Sequence, residues 1–219
     1  MLVVISSWSL WQQNDSKTDE SKIDSAGIKE TIKQPGVMAT LLAFFAYSAG
    51  EATCFLWVPS YFAGTRTGIS SELVASFGSL IFGGLMIGRL IAGFIANRLG
   101  DRRMIRSGTM MELIGILLTA LPIKGYLVAA IGFLIIGIGM GPIYPSIQHM
   151  APINFGKRYS AAVIGLQMAF AYTGSTFMPT VFGILQQKLG IWIMPLYLLV
   201  FAGLSFALLE LSYRQEARL

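Results

Sequence analysis

The stretch GRLIAGFIANRLGDRRM, Gly88 to Met104, decides how this chain is read. It starts inside an apolar run and ends in a cluster formed by Arg98, Arg102, Arg103 and, just beyond it, Arg106. A run that passes from apolar side chains straight into Arg is expected where a helix leaves lipid, because the guanidinium groups bind the anionic cytoplasmic leaflet. Gly100 suits a tight turn, which its missing Cβ permits. Gly93 is expected to allow a neighbouring helix to approach closely.

The composition agrees with a lipid solvent. Of 219 residues, 54% are hydrophobic and 12% charged, and the mean hydropathy is +0.65. Ordinary globular domains carry about 25% charged residues. With half that share, a soluble chain could not cover its surface and bury its large apolar side chains. A single Cys (Cys54) and a single His (His149) exclude a disulfide framework and a Cys/His zinc site, and no metal or other cofactor is expected.

Six stretches are long enough to cross a bilayer, near 37–62, 73–97, 107–123, 126–149, 160–185 and 192–213. None alternates with period two, which argues against a membrane β-barrel. One side of the membrane collects Lys17, Lys22, Lys29, Lys33, Arg98, Arg102, Arg103, Arg106, Lys157, Arg158, Arg214 and Arg218, against Arg66, Lys124 and Lys188 on the other. Twelve against three places both termini in the cytoplasm of a multi-pass inner-membrane protein. The basic residues flank span ends, so lipid and not nucleic acid is the expected partner.

The first 35 residues differ. Residues 1–11, MLVVISSWSLW, are apolar but too short to span, and they read as the end of a preceding span. Residues 12–35 hold nine charges of both signs and read as a solvated cytoplasmic linker, with a short surface helix around Ile23 to Ile32. Residues 36–213 then form the six-helix domain, and 214–219 a cytoplasmic tail.

The Gly88 to Met104 stretch resembles the loop signature of the major facilitator superfamily, carried by Gly93, Asn97, Gly100, Arg102 and Arg103. Asn97 stands where the family usually has Asp, and Asp101 where its first basic residue is expected. Both departures suit the copy of the signature in the C-terminal half. The order of the remaining segments is similar to helices seven to twelve of that superfamily: YSAGEATCFLWVPSYF, the Arg loop, GFLIIGIGMGPIYPSIQHM, and GLQMAFAYTGSTFMPTVFG. Among its branches, the fucose-permease-like sugar:proton symporters are the nearest in character. The resemblance implies an all-α half-bundle of a major facilitator fold and a second six-helix half, as a separate chain, a homodimer partner or part of a longer protein.

Several polar residues stand inside the apolar stretches. Glu210 and Glu112 are close enough to span ends to be interfacial, and Arg89 can snorkel or join a salt bridge. Glu51 lies near mid-membrane, one turn from Tyr47, where a carboxyl group can exchange a proton or bind a sugar hydroxyl. In the fourth span, Gly137, Gly139 and Gly141 permit close packing, Pro142 and Pro145 bend the helix, and Tyr144 and Gln148 share one face. His149, near the cytoplasmic end, suits a gate or interface. In the fifth span, Gln167, Ala171, Gly174 and Ser175 form a stripe able to line a cavity or to pack a helix, with Tyr172 beside it.

Together these residues point to half of a secondary transporter that moves a small polar solute, a sugar among the candidates, by alternating access with proton coupling as an option. A non-transporting receptor or scaffold, or an inactive fragment, is the alternative. An enzyme is not expected: there is no G-x-S-G followed by an intramembrane His, no H-E-x-x-H and no intramembrane Asp pair, so there are no catalytic residues to assign.

Overall fold

The computed structural model describes residues 27–66, 68–123 and 125–216, and every regular element among them is helical. The expected stub at 1–11, residues 12–26 of the linker, and 217–219 of the tail lie outside the described residues. The elements are α1 (Ile28–Ile32), α2 (Val37–Thr65), α3 (Ser71–Ser76), α4 (Gly78–Leu99), α5 (Asp101–Ala120), α6 (Leu127–Met140), α7 (Ile143–Leu189), a 3-10 turn at Ile191–Ile193, and α8 (Met194–Glu216). Lipid supplies no hydrogen bonds, so the backbone must satisfy its own, and helices do so segment by segment.

Four segments among the described residues are long and apolar enough to cross a membrane: Val37–Thr65, Ser71–Leu99, Leu127–Leu189 and Ile191–Gln215. The third is 63 residues long, about 95 Å of helix at 1.5 Å per residue, against a hydrocarbon core of about 30 Å. It does not run straight. The helix is interrupted at Gly141–Pro142, and inside α7 Gly156 leaves helical geometry at φ 73°, ψ 166°. Helix α5 is 20 residues long but begins with Asp101, Arg102, Arg103 and Arg106 and contains Glu112, which keeps it out of the apolar class.

Helix α6 is packed between α4 and α5 with almost no side chains in the way. A methyl group placed on Gly137 would lie 3.0 Å from the Leu85 amide nitrogen of α4, and one on Gly139 would lie 2.6 Å from that of Glu112 in α5. From the other side, a methyl on Gly115 would meet the Gly132 carbonyl oxygen at 2.6 Å. Gly93 behaves differently from its expected role. Nothing lies within 4 Å of where its Cβ would be, and the close contacts on α4 belong to Gly84 and Gly88 instead.

Helix α2 is tied at both ends. Thr40 and Ser212 share a hydrogen bond of 2.8 Å, and Ser212 also donates to the Gly36 carbonyl, joining the start of α2 to the end of α8. At the far end, Arg66 donates to the carbonyls of Thr119, Leu121 and Ile123, which the end of α5 leaves without helical partners. Tyr61 donates to Thr119, and Trp57 to Pro179 of α7. Phe44, Phe62, Phe133, Met140 and Phe182 fill the core between these ties. Outside it, Phe82, Met86, Leu90 and Phe94 form an exposed i, i+4 stripe on α4.

Two polar residues sit deeper than their sequence positions suggest. Glu112, expected near a span end, is 4% exposed. Its helix begins at Asp101 and not near 107, so Glu112 falls in the middle turns, against the glycine face of α6. Gln167 is fully buried, and neither its amide nitrogen nor its oxygen has a hydrogen-bond partner. Of the stripe that could have lined a cavity, Ala171 and Gly174 are buried too, and Gly174 lies against the Phe45 backbone of α2. Three of its four residues therefore pack.

Two stability outcomes follow. Gly139→Ala forces a methyl into the α5 backbone and is expected to destabilise by about 1–3 kcal/mol, while Gly83→Ala, with open space around it, should be neutral or stabilising by up to about 1 kcal/mol. Gln167→Met removes an unpaired buried amide at similar volume and should raise stability by about 1–2 kcal/mol. Thermal unfolding of each purified variant in one detergent measures both. Equal melting temperatures for the two alanine variants would contradict the glycine packing.

Candidate functional site

A cavity of about 760 Å³ lies at the Arg-rich end of the bundle. Helix α4 supplies one wall through Arg89, Gly93 and Asn97, which recur every four residues and so share a face. Gly100 closes that wall in a turn at φ 74°, the left-handed region that favours glycine, and Asp101 starts α5 on the other side. The opposite wall is the start of α7, with Tyr144, Ser146, Gln148 and His149. Pro142 and Pro145 remove backbone donors where α6 passes into α7, while Gly141 and Pro142 keep right-handed helical dihedrals, so the chain continues along one span with a gap in its hydrogen-bond ladder.

The donors in this cavity are lightly held. Tyr144 donates its hydroxyl to the Met168 sulfur at 3.3 Å, and the Gln148 amide reaches the same sulfur at 3.7 Å. A thioether is a weak acceptor, so two donors from one helix face converge on a partner that any solute oxygen could outbid. At the mouth, His149 Nδ1 lies 2.8 Å from Asp101 Oδ2, joining α7 to the α4–α5 turn. Arg89 is exposed into this space, and among the described residues it makes no ion pair or hydrogen bond.

Beside the cavity stands a second polar group. Tyr47 is buried and its hydroxyl lies 3.0 Å from Glu51 Oε1 and 3.1 Å from the Met140 carbonyl, one residue before the Gly141 break. A phenol has one proton to donate. With Glu51 ionised, two acceptors compete for it; with Glu51 protonated, a chain from Glu51 through Tyr47 to Met140 satisfies all three groups. The Tyr47 and Tyr144 rings are 6.4 Å apart, which links this pair to the cavity wall. Arg89 is near enough for its charge to be felt at Glu51.

The structure thus brings Tyr144, Gln148, Gly93, Asn97 and Gly100 into one cavity and sets Tyr47 and Glu51 next to it. Gln167 is shut inside the bundle. Tyr172 is 69% exposed and does not line the cavity. Of the remaining signature residues, Arg102 lies over the Tyr213 ring at 4.4 Å and Arg103 is exposed. Glu210 receives a two-pronged bond from Arg106, at 2.6 and 2.8 Å, tying α5 to α8. Sequence reasoning missed Arg89 as a cavity residue, although its i, i+4, i+8 spacing with Gly93 and Asn97 carried the signal.

Comparison with known proteins agrees with this architecture. The sequence model of the Major Facilitator Superfamily matches residues 1–179 and 40–216. A variant of the E. coli fucose:proton symporter FucP has a similar structure, with a TM-score of 0.71 at 15% identity over 84% of this chain and 44% of that one. FucP in the outward conformation matches with a TM-score of 0.74 at 15% identity, over 90% of this chain and 47% of that one. At this identity the likeness concerns the fold, and the chain spans less than half the length of those structures. No curated protein matches the sequence. This multi-pass, all-α membrane protein belongs to the Major Facilitator Superfamily, a family of transporters and not of enzymes.

Proposed function

We propose that the chain forms one six-helix wall of a secondary transporter that moves a small polar solute of the sugar type across the cytoplasmic membrane by alternating access. The observation that carries this reading is the cavity at the Arg-rich end. Its donors, Tyr144 and Gln148, are parked on a single thioether, a weak partner that a hydroxyl-bearing solute replaces at little cost. The solved neighbour described as a fucose:proton symporter supports the solute class.

In this reading α5 and the two arms of the bent 127–189 segment each cross the membrane, giving six crossings with the Arg-rich ends in the cytoplasm. The open side carrying Tyr172 and the half-buried Glu51 faces a second six-helix half, from a separate chain, a second copy or a longer protein. Exposing a carboxyl group and hydroxyls to lipid would otherwise cost several kcal/mol.

Proton coupling is assigned to Glu51. Its protonation decides whether Tyr47 donates to Glu51 or to Met140, so proton occupancy is read at the helix break that shapes the cavity. Glu51→Gln keeps shape and hydrogen bonding but cannot titrate. In proteoliposomes holding both halves, pH-driven uptake should fall at least tenfold while the variant still binds solute and stays folded. Unchanged uptake with unchanged pH dependence would reject the assignment. For topology, an impermeant thiol reagent on intact cells should label Glu72→Cys and not Arg103→Cys; the native thiol, Cys54, is buried. The reverse pattern would overturn the orientation.

A further inference from the structure

Arg89 is the group in the cavity that the assignments above leave unused. A guanidinium holds its proton at any physiological pH, so its charge is permanent. At membrane depth such a charge is costly unless countered. Glu51 feels this charge but makes no ion pair with it, and the other carboxylates of the bundle that could counter it are engaged or turned away. Glu51 accepts from Tyr47, Asp101 faces His149, Glu210 is held by Arg106, and Glu112 is buried against α6. None forms an ion pair with Arg89 among the described residues, and Arg89 instead faces the cavity.

The neighbours of Arg89 have the matching chemistry. Tyr144 and Gln148 present donors across the cavity, weakly held by Met168, and Asn97 adds an amide one turn beyond Gly93. A fixed cation ringed by neutral donors suits a ligand that is negative and accepts several hydrogen bonds. The planar guanidinium fork fits both oxygens of a carboxylate. A phosphate dianion calls for more positive charge than this cavity offers, since its other cationic candidate, His149, already faces Asp101.

The geometry points to a solute that carries a carboxylate, bound by Arg89 and oriented by Tyr144 and Gln148, so that the transported class is sugar acids and similar hydroxy acids and not neutral sugars. This inference rests on the transport reading of the same cavity and narrows it. A bare cation facing the cavity would repel protonated amines and offer a neutral sugar nothing a hydroxyl or amide could not give. For a hydroxy acid, it supplies the one interaction that discriminates.

Matched pairs that differ only in carboxylate against hydroxymethyl provide the test: lactate and propane-1,2-diol, gluconate and glucitol, galacturonate and galactose. Binding of each is measured by calorimetry on the assembly holding both halves in lipid nanodiscs, with inorganic phosphate as a further probe. In at least one pair the acid should bind at least tenfold more tightly than its neutral twin. Arg89→Gln should erase that preference and Arg89→Lys should keep part of it. Tyr144→Phe should weaken the acid several-fold without removing the preference, which keeps the assignment testable if the Arg89 variants unfold. Neutral twins binding as tightly as the acids, a preference that survives Arg89→Gln, or phosphate binding more tightly than every acid would overturn the carboxylate assignment and leave solute binding standing. No binding by any probe would overturn the cavity as a solute site and the narrower inference together.

Discussion

Backbone contact along α6 is the constraint on which the rest of the structure depends. In lipid, apolar side chains gain nothing by leaving a neighbouring helix for the bilayer, so helices associate through close packing and interhelical polar contacts. Gly137 and Gly139 bring α6 against the main chains of α4 and α5 at once. The same seam reaches the functional end. A methyl on Gly141 would lie 2.8 Å from the Arg89 amide nitrogen, so the helix break at Gly141–Pro142 rests directly on the backbone of the residue that lines the cavity. The position of the Arg89 backbone is therefore set by packing, while its side chain makes no ion pair or hydrogen bond among the described residues.

Polar groups elsewhere in the bundle show what settled placement looks like. Trp57, Tyr61 and Tyr197 each donate to a backbone carbonyl, and the Thr40–Ser212–Gly36 cluster joins two helix ends. These bonds act as interhelical ties, each worth about 1 kcal/mol or somewhat less in a membrane. Gln167 and Arg89 lack such ties, for different reasons. Gln167 is sealed in the core, where an unpaired amide only costs stability. Arg89 is exposed and lines a cavity of about 760 Å³, so its charge is not sealed from water.

The all-helical membrane character, the Arg-rich turn at Gly100 and the close packing of Gly137 and Gly139 were legible in the sequence because each rests on a local property: hydropathy, charge and the absence of a side chain. What was not legible depends on which neighbour a face meets. Gly84 and Gly88, four residues apart, both meet the backbone of α6, whereas Gly93, five residues further on and on another face, meets nothing. The depth of Glu112 was misread because α5 starts six residues earlier than hydropathy suggests; its first turns are charged and still helical. Tyr144 and Gln148 were placed on one face by spacing, but that both donors converge on Met168, twenty or more residues away, required the fold. Arg89 was weighed by its depth alone, when its four-residue spacing to Gly93 and Asn97 already put it on the cavity wall.

The break after Met140 is where these elements meet. On its inner side, the Met140 carbonyl receives Tyr47, whose single proton it contests with Glu51. On its outer side, Tyr144 begins the cavity wall opposite Arg89. A complete hydrogen-bond ladder would commit the Met140 carbonyl to the amide four residues on. Prolines at 142 and 145 lack the amides that would pair with the carbonyls of Ile138 and Gly141, which opens the hydrogen-bond ladder on both sides of Met140. The Tyr47–Glu51 pair thus meets the carbonyl that precedes the break, and the cavity wall begins with the residues that follow it. In the proposed mechanism the proton site and the solute site would share this one short stretch of backbone.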